Sequence, residues 1–172
     1  GSLRVHGPLT WNRLMPRRGT FNPPLRLLKT LKASGAEVMS YVHGLPPPWV
    51  REETGEVFDL DAARRMITRV AEATSTLVDQ YEIYNEPNSC APFGSAPGAY
   101  AAWLATAYDA VKSVSPTTGV IGICSGHIDA AFIDGVLRRG VASKMDALSV
   151  HPYRHESPEA TRVLEEIENL FG

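Results

Sequence analysis

The sequence predicts an α/β fold, about five β/α units with their strands parallel in one sheet. Three observations predict it. Strand-like and helix-like segments alternate along the whole chain, with roughly thirty to forty residues from one strand to the next. The strands are continuous apolar runs rather than alternating ones, as strands covered by helices should be. Polar, chemistry-bearing residues stand at the strand ends, and a parallel array gathers those ends on one face. The 172 residues, 44% of them apolar, suffice for one core. No linker or shift of composition divides them, so residues 1–172 read as a single domain.

The elements follow in order. Leu3 to Gly7 is a short strand stopped at Pro8, followed by a loop from Trp11 to Asn22. Pro23-Pro24 opens a helix, since proline lacks only an N–H that has no partner at a helix start. Leu25, Leu28 and Leu31 share one face of it, and Gly35 ends it. Ala36 to Val42 is the second strand, ending at His43-Gly44. Pro46-Pro47-Pro48-Trp49 reads as a stiff loop whose Trp49 can stack on the apolar face of a sugar or pack into the loop. Asp59 or Asp61 caps a long helix in which Ala63, Met66, Ile67, Val70, Thr74 and Leu77 recur at helical spacing, which makes Met66 core. A later helix carries the stripe Tyr100, Trp103, Leu104, Ala107, Tyr108 and Val111, and Ser115-Pro116 breaks it. Val120 to Cys124 is a strand ending in Ser125-Gly126-His127. Asp129 caps the next helix, which Gly140 stops. Asp146 to Val150 is the last strand, ending in His151-Pro152-Tyr153, and Ser157-Pro158 starts a final helix with Val163, Leu164, Ile167 and Leu170.

Charge narrows the function. A net charge of −2 gives no electrostatic support for nucleic acid or a membrane surface as partner, and no apolar run reaches the length of a membrane span. The two cysteines, Cys90 and Cys124, lack zinc-ligand spacing. A disulfide between their loops is geometrically feasible, with free thiols the default. No cofactor is expected.

The central stretch runs from Asp79 to Asn88. Tyr81, Ile83 and Tyr84 give it strand-forming bulk, and Pro87 ends the ladder, which sets Asn85-Glu86 at a strand end. A carboxylate beside an amide there is placed for chemistry, whereas a lone strand-end Glu is merely solvated. The surrounding strand ends carry His6, His43, His127 and His151, with His155 just beyond. Each alone reads as a hydrogen-bonded strand-end residue, but their convergence on one rim favours a site.

The string Asn85-Glu86-Pro87-Asn88 resembles the acid/base signature of the clan A retaining (β/α)8-barrel glycoside hydrolases, in particular the β-xylosidase and α-L-iduronidase family. The Trp11…Pro16…Gly19-x-Phe21 pattern resembles the loop after the second strand of that family, and Asp146 to Tyr153 resembles its sixth strand. The resemblance implies that Glu86 is the general acid/base and that Asn85 holds the sugar 2-hydroxyl. It implies that Arg4 orients the nucleophile, with a surface charge as the plain alternative, and that His151 and Tyr153 line the sugar site. His43 and His127 carry over onto the same rim. Retaining enzymes work with two carboxyl groups about 5–5.5 Å apart, and the acid must start protonated.

On that mapping the chain is a partial (β/α)8 TIM barrel holding strands two to six and lacking strands one, seven and eight. The nucleophile of the resembled family stands on the seventh strand. Glu156 and Glu159 are the late carboxylates near the rim, and neither is expected to replace it. The chain alone is therefore expected to be inactive. Its open sheet edges are expected to be covered by a second copy or by the missing barrel segment. One alternative is a non-catalytic carbohydrate-binding module using Trp49, Asn85, His151 and Tyr153. Another is a metal-dependent hydrolase, although the histidines show no His-x-His spacing. The start shows no signal peptide, while relatives of the resembled family are often secreted, so the compartment stays open.

Overall fold

The computed structural model describes residues 1–55, 58–90, 93–152, 164–166 and 168–169. Within them five parallel strands form one sheet in the order β1 (Ser2–Thr10), β2 (Glu37–His43), β3 (Gln80–Ile83), β4 (Gly119–Gly126) and β5 (Ala147–His151). Sequence order equals spatial order, as in a barrel wound in one direction. The helices are α1 (Trp11–Leu14), α2 (Leu25–Ala33), α3 (Pro48–Thr54), α4 (Leu60–Thr74), α5 (Pro97–Val114) and α6 (Ala130–Leu137). Along the outer layer α2 packs on α4, α4 on α5 and α5 on α6. The fold is a parallel half-barrel, the predicted class.

The core lies between sheet and helices because both contribute continuous apolar faces. From the sheet come Val38, Val42, Tyr81, Ile83, Val120 and Ile123; from the helices come Met66, Ile67, Val70, Trp103, Leu104 and Ile133. Met66 is 1% exposed, the core residue its spacing predicts. Asp59 caps α4 by accepting from the Ala62 N–H at 2.8 Å, which resolves the choice between Asp59 and Asp61. Asp129 caps α6 in the same way, through the Phe132 N–H at 3.0 Å.

Two predicted boundaries change. The Pro46-Pro47-Pro48-Trp49 stretch is only half a loop: Pro48 is the first residue of helix α3, and Gly55 closes that helix at φ 72°. A proline at the first helical position and a left-handed glycine after the last are the ordinary ends of a helix. Strand β1 runs on past Gly7-Pro8 to Thr10, through a shift of register between Val5 and Leu9. It is an edge strand, where a missing proline N–H breaks no ladder on the open side. The final helix expected from Ser157 falls largely outside the described residues.

The opposite, N-terminal ends of the strands carry a repeated clamp. Asp79, just before β3, accepts from the Val38 N–H of β2 at 2.7 Å and pairs with Lys32 of α2. Asp146, just before β5, accepts from the Val120 N–H of β4 at 2.7 Å and pairs with Lys112 of α5 at 2.7 Å. Burial opposes ionisation of Asp79, but the Lys32 ammonium and the Val38 N–H outweigh it and hold its carboxyl below the usual value.

Candidate active site at the C-terminal strand ends

Strand β1, the C-terminal part of β3 with the residues after it, and the C-terminal part of β5 bring Arg4, Glu82, Asn85, Glu86, Ser149 and His151 into one hydrogen-bonded cluster. Glu86 Oε1 lies 2.9 Å from Nδ1 of His151. The other ring nitrogen of His151 lies 3.2 Å from Glu82 Oε1. Arg4 donates from Nε to Glu82 Oε2 at 2.6 Å and from Nη2 to Asn85 Oδ1 at 2.9 Å, and its guanidinium sits over the Tyr41 ring at 5.2 Å. Ser149 donates to Glu82 Oε1 at 2.7 Å.

Glu82 was not singled out by sequence reasoning, and it is the hub. It is 1% exposed in the middle of a buried strand. Burial of a carboxylate is costly unless donors surround it; here Arg4 and Ser149 donate, and His151 Nε2 lies 3.2 Å away. The signal was present: a charged residue inside an apolar strand, four residues before Glu86, needs a partner. Asn88 was quoted only as part of the string. Its amide accepts from the Gly126 N–H at 2.9 Å and donates to the Gly126 carbonyl and to Asp129 Oδ2, at 2.9 and 3.0 Å. It therefore ties the loop after β3 to the loop after β4.

That tie holds unusual backbone. Among the described residues, the non-glycine residues with positive φ are Tyr84, Glu86, Ile123, Cys124 and His127, between 50° and 74°, all at the ends of β3 and β4. Each costs about 1–3 kcal/mol and persists only where its surroundings over-determine it. Here they do so through the Glu86 N–H to the Cys124 carbonyl at 2.9 Å, the His127 N–H to the His151 carbonyl at 2.9 Å, and the Asn88 bridge. The β4 register shifts between Ile123 and Ser125, a bulge that re-aims the strand end toward Glu86.

The other predicted residues distribute unevenly. His43 packs at 4.4 Å from the Tyr84 ring and, with Tyr84, Cys90 and Arg51, lines an open groove of about 460 Å³ beside the cluster. His127 bridges by backbone to His151. Trp49 is half-buried against the core; its N–H donates to the Met15 carbonyl at 3.0 Å, and it lines a separate cavity with Trp11, Met66 and Arg69. Tyr153, Glu156 and Glu159 lie outside the described residues. Cys90 and Cys124 are free thiols. Burial raises the pKa of both, helped by the Glu86 charge at Cys90 and the Glu82 charge at Cys124. Burial likewise pushes the Tyr84 phenol up to about 12. Among the described residues no group of three or more His, Cys, Asp or Glu side chains is arranged to hold a metal ion, and no helix is long and apolar enough to cross a membrane.

The sequence matches no protein-family model and no curated protein. Solved structures similar to the chain include a family 39 glycoside hydrolase from the gut symbiont Bacteroides cellulosilyticus WH2, with a TM-score of 0.70 and 23% identity over 88% of this chain and 33% of that one. A psychrophilic glycoside hydrolase family 10 endo-β-1,4-xylanase gives a TM-score of 0.71 at 12% identity, over 97% of this chain and 60% of its own. A glucosidase from Croceicoccus marinus gives 0.66 at 17% identity, over 88% and 36%. The chain thus spans between 33% and 60% of the length of these structures. Likeness at such identities is likeness of fold, and that fold is the half-barrel of parallel β/α units found within these glycoside hydrolases.

Proposed function

We propose that this chain carries the acid/base side of a retaining glycosidase site, with Glu86 as general acid/base. The observation that supports it most is the 2.9 Å contact between Glu86 and His151 at the strand ends of a parallel half-barrel. An acid must hold a proton near its leaving group, and an imidazole at hydrogen-bond distance can share one. Glu86 is 22% exposed, open enough to meet a substrate. Asn85 Oδ1 is taken by Arg4, so its amide NH₂ is left to donate to a sugar hydroxyl. His43, His127 and Tyr153 complete the sugar-binding rim in this reading, and Trp49 takes the outlying stacking role.

Double displacement needs a second, exposed carboxylate as nucleophile. Glu82 is unsuited, since it is 1% exposed and bonded on both oxygens. The nucleophile is therefore assigned to a segment outside the described residues, in the rest of a barrel or in a second copy covering the edges of β1 and β5. The chain by itself is expected not to turn over substrate. The test is light scattering on the purified chain with a panel of aryl glycosides on the same sample. Turnover confined to an assembly, and lost in Glu86→Gln, supports the proposal; turnover by a monomer overturns it. The burial of Glu82 also favours a second reading, carbohydrate binding without chemistry. That reading predicts oligosaccharide binding that survives Glu86→Gln, with no turnover in any assembly.

A further inference from the structure

We propose that Glu82 is a positioning residue that keeps a proton on Nε2 of His151, so that one mobile proton is held between Nδ1 of His151 and Glu86. The proposal deepens the glycosidase reading by naming what holds the acid's proton. The geometry behind it exists without substrate.

Glu82 Oε2 receives two guanidinium nitrogens of Arg4, Nε at 2.6 Å and Nη2 at 2.5 Å, which marks the group as a carboxylate. Oε1 receives the Ser149 hydroxyl at 2.7 Å. An ionised carboxylate only accepts. The remaining neighbour of Oε1 is His151 Nε2 at 3.2 Å, and it must bring a proton to that contact. A bare Nε2 would set a lone pair against the anion. It would also have to accept from Arg4 Nη2 at 3.4 Å, beyond the usual hydrogen-bond range.

With Nε2 protonated, the 2.9 Å contact between Nδ1 and Glu86 Oε1 requires one further proton. It sits on Glu86 as a neutral acid donating to the ring, or on the ring as an imidazolium donating to the carboxylate. The two groups therefore share that one proton. The titratable and charged groups around the pair are Cys90 beside Glu86, His127 bridged by backbone to His151, Arg4 from β1 and Glu82 from β3, with Tyr41 from β2, Cys124 from β4 and Tyr100 from α5 behind Glu82. Burial raises the pKa of Tyr41, Tyr100 and Cys124 and keeps them protonated, and Arg4 stays charged. Glu82, at 1% exposure, pulls on the ring proton without water to screen it, whereas Glu86, at 22%, is partly solvated. The Nε2 proton is therefore expected to stay when the mobile proton leaves.

Glu82→Gln removes the anion and leaves the Arg4 cation facing the ring. With no anion to hold a proton on Nε2 and the Arg4 cation beside it, the proton moves to Nδ1, and Nδ1–H stabilises the Glu86 carboxylate. The pair loses its mobile proton at lower pH. The measurement is ring ¹⁵N NMR of the histidine-labelled chain between pH 4 and 9, with His151 assigned by its loss in His151→Gln. The wild-type chain is expected to show a protonated Nε2 throughout and titration at Nδ1. Glu82→Gln is expected to move the ring proton to Nδ1 and to lower the midpoint by about one pH unit or more. Glu82→Asp, which keeps the charge, is expected to restore both readouts toward wild type. A wild-type ring with bare Nε2 and protonated Nδ1 overturns the proposal. So does a Glu82→Gln midpoint that coincides with the wild-type one. Should Glu82→Gln fail to fold, the wild-type tautomer decides alone. None of these readouts needs substrate, so an inactive chain with the expected tautomer counts against the glycosidase reading only.

Discussion

Replacing Arg4 with methionine keeps most of the apolar stem and removes the guanidinium from Glu82. The carboxylate left behind is 1% exposed, with only Ser149 and His151 as donors. Breaking a buried ion pair by removing one partner costs about 3–5 kcal/mol. Arg4 itself is 34% exposed, so water screens part of the pair, and the expected loss falls to about 2–4 kcal/mol. With a urea slope of about 2 kcal/mol per molar, the midpoint should drop by about 1–2 M. Trp11 and Trp103, 1% and 0% exposed, report the transition by fluorescence. A loss under about 1 kcal/mol would refute the claim that Glu82 is a buried anion depending on Arg4.

Three further predictions follow from other contacts. A Cβ on Gly126 would meet Glu86 Cδ at 3.2 Å and Cγ at 3.3 Å, so Gly126→Ala should move the Glu86 ¹³Cδ and His151 ring ¹⁵N signals. It should cost only about 1 kcal/mol of stability, and unmoved signals would mean that Glu86 is not held against β4. Asp79 has a lowered folded pKa, so its contribution is present above its unfolded value near 3.8 and is lost as pH falls through the folded value. Asp79→Asn should therefore cost about 1 kcal/mol at pH 7, with the difference from wild type vanishing in acid denaturation series. The Tyr81 phenol, 2.7 Å from Thr74 Oγ1 and buried, is pushed up to about 12, so wild-type stability should fall between pH 10 and 12. Tyr81→Phe should flatten that decline in urea melts taken across the range.

Much of the architecture was legible because period and punctuation agree. Asp59 and Asp129 sit as caps, Gly35 and Gly140 as stops, and the apolar runs as parallel strands. Helix α3 was misread because a triple proline suggests rigid loop, although Pro48 and Gly55 together are a helix start and stop. At the site, Asn85, Glu86 and His151 were legible from their place at strand ends. Glu82 carried the signal of a charge inside an apolar strand, but its partner could not be read from the sequence, since Arg4 lies seventy-eight positions away. The same holds for Asn88, whose partners are on the loop after β4. Left-handed Ile123 was beyond sequence reading as well, since β-branched residues avoid that region unless tertiary bonds impose it.

The two Asp–Lys clamps have a consequence for redesign. They fasten β2 to β3 and β4 to β5 from below, at Val38 and Val120, while Glu86 and His151 stand at the other end of the strands. A four-residue strand such as β3 separates the two ends by roughly 13 Å. Anchorage and chemistry are thus spatially divorced. The loop after β2 becomes an interchangeable cassette, provided the Arg4–Glu82–His151 core is kept. A library of rim loops grafted onto this frame would change what it meets without changing what fastens it.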